Sequence, residues 1–232
     1  MTALVDHDLA TLEHDPWFSQ LSCGCQKALL ARATVVSFDD EARVYRVADD
    51  PNGLWAVLSG QVRLIGYPSA GIELLALIIS QGEWFGELSM IDGKPRPHDA
   101  IAFGCARVLH VSPAAYASAA ALQPDLVHDL ALLLCARQRL AMSVVADHLA
   151  QPLSVRLART LARQSFATHN SKLAIGQEAL AMTLNTSRQT LNRALQRLVE
   201  MGAIAIGYRS IEIVDRTKLE ECGGKSKQVR RR

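Results

Sequence analysis

The feature that most constrains this 232-residue chain is the stretch Leu184-Asn185-Thr186-Ser187, set between two short amphipathic segments. A turn this tight needs a residue that tolerates a left-handed backbone, and Asn185 is the best non-glycine choice. Ser187 can accept a hydrogen bond from an orphan N–H of a helix that starts after it. The spacing therefore predicts a first helix over 177–183, a turn at 184–186 and a second helix over 188–201, which Gly202 ends. Leu191, Ala194, Leu195 and Leu198 form the apolar face of the second helix. Arg188, Gln189, Asn192, Arg193 and Gln196 lie away from it, and they are the forked donors and amides that reach base edges in a DNA major groove. Two short alternating strands, 204–206 and 211–213, meet at Gly207-Tyr208-Arg209-Ser210. That is a wing, with Arg209 placed for a phosphate. A plain helical hairpin would show the same turn, but not also a basic outer face and a wing.

Charge distribution agrees. Residues 152–232 carry 15 Lys and Arg against 6 Asp and Glu, a net +9, whereas residues 1–151 carry 10 against 17, a net −7. A basic carboxy-terminal third suits a polyanionic partner; a solvated basic surface ending in Lys225-Ser226-Lys227-Gln228-Val229-Arg230-Arg231-Arg232 would carry the same charge. Hydrophobic residues at 49% and charged residues at 21% are ordinary for globular domains. No apolar run is long enough for a membrane span, and the acidic start MTALVDHDLATLEHD is not a secretion signal. Five cysteines without an export signal fit reduced thiols in a cytoplasm.

Upstream, WFSQLSCGCQKALLA over 17–31 reads as one amphipathic helix. From about residue 34 to residue 111, short apolar runs alternate with turn residues. Residues 54–58, Ser59-Gly60 and 62–65 read as strand, turn and strand, and Ser69-Ala70-Gly71 as a hairpin turn before a strand over 72–79. Such spacing implies a sandwich or barrel. Ser112-Pro113 starts a helix that Gln123-Pro124 breaks. A long helix over 125–150 follows. One apolar stripe holds Leu126, Leu130, Leu133, Leu140 and Val144; a second holds Val127, Ala131, Leu134, Ala141 and Val145. One stripe can pack on the strands. The other can pair with a second copy of the chain, or be buried within the same chain. Pro152 ends the helix. The expected domains are 1–122, a linking helix over 123–151, and 152–232.

The run Thr186-Ser187-Arg188-Gln189-Thr190-Leu191-Asn192-Arg193-Ala194-Leu195 resembles the CRP/FNR family of transcription regulators. Trp84-Phe85-Gly86-Glu87-Leu88-Ser89-Met90-Ile91-Asp92-Gly93-Lys94-Pro95-Arg96 resembles that family's phosphate-binding cassette, in the family's order, with a long helix between the two motifs. The resemblance implies an α+β chain: an amino-terminal double-stranded β-roll, a dimerising central helix and a carboxy-terminal winged helix-turn-helix. It implies a homodimer on a two-fold-symmetric double-stranded DNA site, RNA polymerase as a partner, and a small-molecule effector. DNA contacts then fall to Ser187, Arg188, Gln189, Thr190, Asn192, Arg193 and Arg209. The family's cyclic-AMP receptor has Arg-Glu at the positions of Arg188-Gln189 and Arg at that of Arg193; its arginines meet guanines and its Glu a cytosine. Gln189 replaces that Glu here.

Effector binding falls by resemblance to Gly86, Glu87, Leu88 and Arg96. Cyclic-AMP-binding members follow the Arg with Ser or Thr. Here Pro97 stands there, without hydroxyl or N–H, and Asp99 adds negative charge nearby. Tight binding of cyclic AMP is therefore not expected, and no cofactor is assigned. Glu87 and Arg96 either hold another ligand or pair with each other. Cys23, Cys25 and Cys105 suggest an iron–sulfur alternative, but only two are clustered, Cys135 sits within the long helix, and a cluster needs four well-directed ligands. His7 and His110 lack paired spacing for a metal. The remaining rival is a cupin-like metal enzyme built on the dyad His98-Asp99, for which no second ligand set is present. No catalytic residue or metal ligand is expected.

Overall fold

The computed structural model describes residues 4, 6–69, 72–168, 171–208 and 210–224. They form two compact units, one up to Leu140 and one from Ala141 onward. Ala70 and Gly71 of the expected hairpin, Arg209 of the expected wing and the basic tail 225–232 lie outside the described residues.

The first unit opens with α1 (Asp6–Leu12), α2 (Pro16–Gln20) and α3 (Cys23–Leu30). The single helix expected over 17–31 is in fact two. Leu21 is extended at ψ 145°, and the Ser22 side chain accepts from Cys25 N at 3.1 Å. A serine that caps a new helix competes with continuation of the old one. Asp15 caps α2 in the same way, accepting from Trp17 N at 2.8 Å and Phe18 N at 3.1 Å.

Strands β1 (Thr34–Phe38), β2 (Arg43–Tyr45), β3 (Leu54–Ser69), β4 (Ile72–Ile79) and β5 (Trp84–Phe85) follow, then α4 (Glu87–Asp92), β6 (Asp99–Val111) and α5 (Pro113–Leu122). The sheet is antiparallel with order β1-β6-β3-β4; β2 also pairs with β6, and β5 with β3. The turn expected at Ser59-Gly60 is a distortion inside one continuous strand. The β3–β6 register shifts on both sides of Ser59, and Gly60 takes φ +80°. A Cβ at Gly60 would sit 2.5 Å from the Cys105 carbonyl oxygen, so only glycine lets the strands stay paired there.

Helix α6 (Asp125–Ala150) has the bounds expected from its sequence. Leu126, Leu130 and Leu133 join a core with Leu12, Phe18, Leu29, Leu54 and Trp84. The second stripe is largely open: Val127 is 50% exposed and Val145 51%. A second apolar cluster lies within the strands, around Tyr45, Val57, Val62, Ile79, Phe85 and Val108.

The second unit holds the end of α6, α7 (Leu153–Thr168), β7 (Lys172–Leu173), α8 (Gln177–Thr183), α9 (Arg188–Glu200), β8 (Ile204–Gly207), β9 (Ser210–Ile213) and α10 (Arg216–Cys222). The strands pair antiparallel in the order β7-β9-β8. Leu157, Leu161, Leu180, Leu184, Leu191, Leu195 and Leu219, none with measurable exposure, fill its core. Helices α7 and α10 were not anticipated from the sequence.

Candidate functional site

Asn185 has φ +47°, the left-handed conformation the turn requires. Thr186 N donates to Ala181 O at 3.0 Å, closing α8, and Ser187 accepts from Thr190 N at 3.2 Å, opening α9. The Ser187 and Thr190 hydroxyls lie 2.9 Å apart. Leu191, Ala194, Leu195 and Leu198 are buried, which rolls the opposite side of α9 outward. Arg188, Gln189, Thr190, Arg193 and Gln196 are exposed on that side and Asn192 is half-buried. Arg197, which the sequence reading left out, is exposed as well. Neither Arg188 nor Arg193 has an ion-pair partner among the described residues. Arg156 of α7 donates to Leu184 O at 3.2 Å, tying the turn before α9 to the unit's core. Next to α9, β8 and β9 form a hairpin whose Tyr208 is 93% exposed. The result is a helix with a polar, basic, exposed face and a serine-capped amino end, which is the form of a major-groove reader.

In the first unit, Gly86, Glu87, Leu88 and Arg96 line one small cavity of about 30 Å³, with Tyr45, Ser89, Pro97, His98 and Arg137 also in its wall. Gly86 has φ +93° at the start of α4, and a Cβ there would lie 3.0 Å from Arg96 Nη1 and from Gly53 O. Arg96 is buried and its fork is turned onto the protein. Nε and Nη2 donate to Asn52 Oδ1 at 3.2 and 2.6 Å, Nη1 donates to Gly86 O at 2.8 Å, and Nη2 donates to Gly53 O. Its guanidinium also stacks over Tyr45, 4.3 Å from the ring centre. The expected alternative, an ion pair between Glu87 and Arg96, is not formed among the described residues. One acceptor, Gly86 O, belongs to the cassette itself; Asn52 Oδ1 and Gly53 O lie just before β3, which spacing along the chain could not reveal.

Asp99 corrects a second expectation. Its carboxylate does not line the cavity; it accepts from Val47 N at 2.7 Å, Tyr67 Oη at 2.8 Å and Arg43 Nε at 3.1 Å. Burial pushes its pKa up, but these three donors outweigh burial and hold it below the usual carboxylate value. Burial, aided by the Arg96 charge, lowers the pKa of His98 and favours the neutral ring. Tyr45 Oη, Ser89 Oγ and His98 Nδ1 have no hydrogen-bond partner among the described residues. Asn52, Tyr45 and Arg137 belong to this site and carry no signal in the sequence. Arg137 reaches it from α6, donating to Trp84 O at 2.8 Å beside Glu83 at 3.7 Å.

The other candidates are scattered. Cys25 is buried, Cys23, Cys105 and Cys135 are exposed, and His110 stacks on Trp55 at 3.9 Å with a ring nitrogen 2.7 Å from Asn52 O. Among the described residues no three His, Cys, Asp or Glu side chains converge as a metal site, and no helix is long and apolar enough to cross a membrane.

Two family models match the chain: a cyclic nucleotide-binding domain over residues 35–121 and a Crp-like helix-turn-helix domain over residues 155–222. The chain is 29% identical over 181 residues to the cyclic AMP receptor protein of Thermus thermophilus, covering 77% of this chain and 82% of that one. It is 27% identical over 199 residues to a CRP-like cAMP-activated global transcriptional regulator of Mycobacterium tuberculosis, covering 83% and 89%. Among solved structures, FixK2 from Bradyrhizobium japonicum superposes with a TM-score of 0.74 at 21% identity, over 82% of this chain and 96% of that one.

Proposed function

From a chain that belongs to the CRP/FNR family of DNA-binding transcription regulators, we propose a homodimer that reads a two-fold-symmetric site and does not depend on cyclic AMP. The observation that carries the DNA-reading part is the uncovered face of α9, where Arg188, Gln189, Asn192 and Arg193 stand on a helix capped by Ser187. The two arginines read guanines, each worth about 1–3 kcal/mol of discrimination. Gln189 pairs with adenine N6 and N7 between them. Ser187 and Thr190 lie at the amino end, where a phosphate is favoured, and Arg209 is assigned to the backbone beside the wing. Two copies pair along the open stripe of α6 around Val127 and Val145. RNA polymerase is the downstream partner, and the chain catalyses no reaction.

The effector reading rests on Arg96. A cyclic nucleotide would need this guanidinium for its phosphate, yet Asn52, Gly53 and Gly86 engage it. Pro97 adds no donor, and a cavity of about 30 Å³ holds one or two waters rather than a nucleotide. Gly86, Glu87, Leu88 and Arg96 thus enclose a site that does not fit cyclic AMP. Selection of binding sites from random duplexes by the unmodified protein, with and without cyclic AMP, tests both parts. A pseudo-palindrome with half-sites about one helical turn apart, recovered equally in both arms, is the expected result. Recovery only with cyclic AMP refutes the effector reading, and no enrichment at all refutes the assignment of α9.

A further inference from the structure

The last ten residues of α6 belong to the DNA-reading unit, and they end in the short connection Gln151-Pro152 before α7. Proline stops the helix there, so nothing in the backbone ladder prevents α7 from swivelling about the joint. A side-chain clamp does. Asp147 is buried at 5% exposure, although Val145 and Leu149 on either side of it are 51% and 84% exposed. Its Oδ1 accepts from Arg159 Nη1, and its Oδ2 accepts from Arg163 Nη1 at 3.2 Å. Arg159 and Arg163 are one turn apart on α7, so one carboxylate engages both forks. Arg163 Nη2 also donates to Thr160 Oγ1 at 3.2 Å, and Arg159 Nε donates to Gly223 O at 2.7 Å, just past α10. Two helices thus meet on one buried carboxylate, and Arg159 carries the connection on to the end of α10. Helix α7 in turn holds the turn before α9 through Arg156.

We propose that Asp147 is a positioning residue for DNA reading: it fixes α9 relative to the end of α6 and so sets the spacing between half-sites that the protein accepts. This rests on the dimeric reading above. If two copies pair along α6, the separation of their α9 helices depends on the angle at which each α7 leaves α6. A buried ion pair is weak evidence for stability, but it is an effective way to admit one geometry and reject its neighbours.

The test is a panel of duplexes holding the selected half-sites at the preferred spacing and with one base pair inserted or removed. It is read by fluorescence anisotropy for the unmodified full chain, Asp147→Asn and Arg163→Met. The unmodified protein discriminates against the altered spacings. In Asp147→Asn that discrimination falls by about tenfold, the equivalent of one charge-assisted hydrogen bond, while base preference within each half-site is unchanged. Arg163→Met removes a single arm from a partly exposed position and keeps the pairing with Arg159, so it provides the same readout if Asp147→Asn melts. A folded variant with the unmodified spacing profile overturns the proposal. So does an equal loss of affinity at every spacing, which marks a purely structural role. Unmodified protein that binds single half-sites as a monomer would instead refute the dimeric reading on which the proposal stands.

Discussion

Replacing Arg96 by alanine removes the donor of two buried backbone acceptors, Gly53 O and Gly86 O, and leaves Asn52 Oδ1 with Trp55 Nε1 alone at 3.3 Å. Each carbonyl sits in a wall that water reaches poorly, and an acceptor left bare there costs about 1 kcal/mol or somewhat more. The loss is therefore about 2 kcal/mol, which for a unit of this size is about 6 °C in Tm. The assay is selective because all three tryptophans, Trp17, Trp55 and Trp84, lie in the unit that contains Arg96. Intrinsic fluorescence during a thermal ramp reports that unit alone. Arg96→Lys keeps the charge but not the fork and should recover less than half of the loss. Millimolar cyclic AMP should move the unmodified transition by less than 1 °C, since a ligand at a hundred times its Kd would add about 2.7 kcal/mol. An Arg96→Ala transition within 1 °C of the unmodified protein refutes the reasoning: the guanidinium would then be a ligand group and not a strut.

Other consequences are equally open to measurement. Gln189→Glu should swing site selection toward cytosine at the base pair between the guanines; an unchanged motif means that this side chain points away from the bases. Val127→Asp combined with Val145→Asp should give monomers by light scattering and abolish binding to the paired site, whereas a dimer of unchanged mass rules out the open stripe of α6. His98 has a folded pKa lowered chiefly by burial, so the unfolded chain binds its proton first as pH falls below about 6.5. The first unit should lose stability progressively from there down to the lowered folded value, and His98→Gln should flatten that slope in fluorescence-monitored urea titrations; a slope that stays the same places the titration elsewhere.

The parts of this protein that the sequence determined are those whose physics is local. Asn185, Ser187 and Gly202 act within a few residues of themselves, and the helix pair they delimit stands where the spacing placed it. Helix α6 is equally legible, because Pro124 and Pro152 bound a periodic stretch that closes its own hydrogen bonds. The same local reading failed where two local preferences competed. Ser22 capped a new helix inside an apolar period, and Gly60 looked like a turn although β6 was available to carry β3 through it. Tertiary structure alone decided the rest. Two of the three partners of Arg96 lie 44 and 43 residues away at Asn52 and Gly53, and those of Asp99 lie 56, 52 and 32 residues away at Arg43, Val47 and Tyr67. The residues that the cassette motif named line one cavity, but the motif does not say where their hydrogen bonds go. Likewise, nothing in the pattern around Asp147 marks it as the one polar residue on its turn that α7 covers. A side chain's neighbours along the chain set its backbone conformation, whereas the groups that satisfy its charge are chosen only when distant segments are packed together.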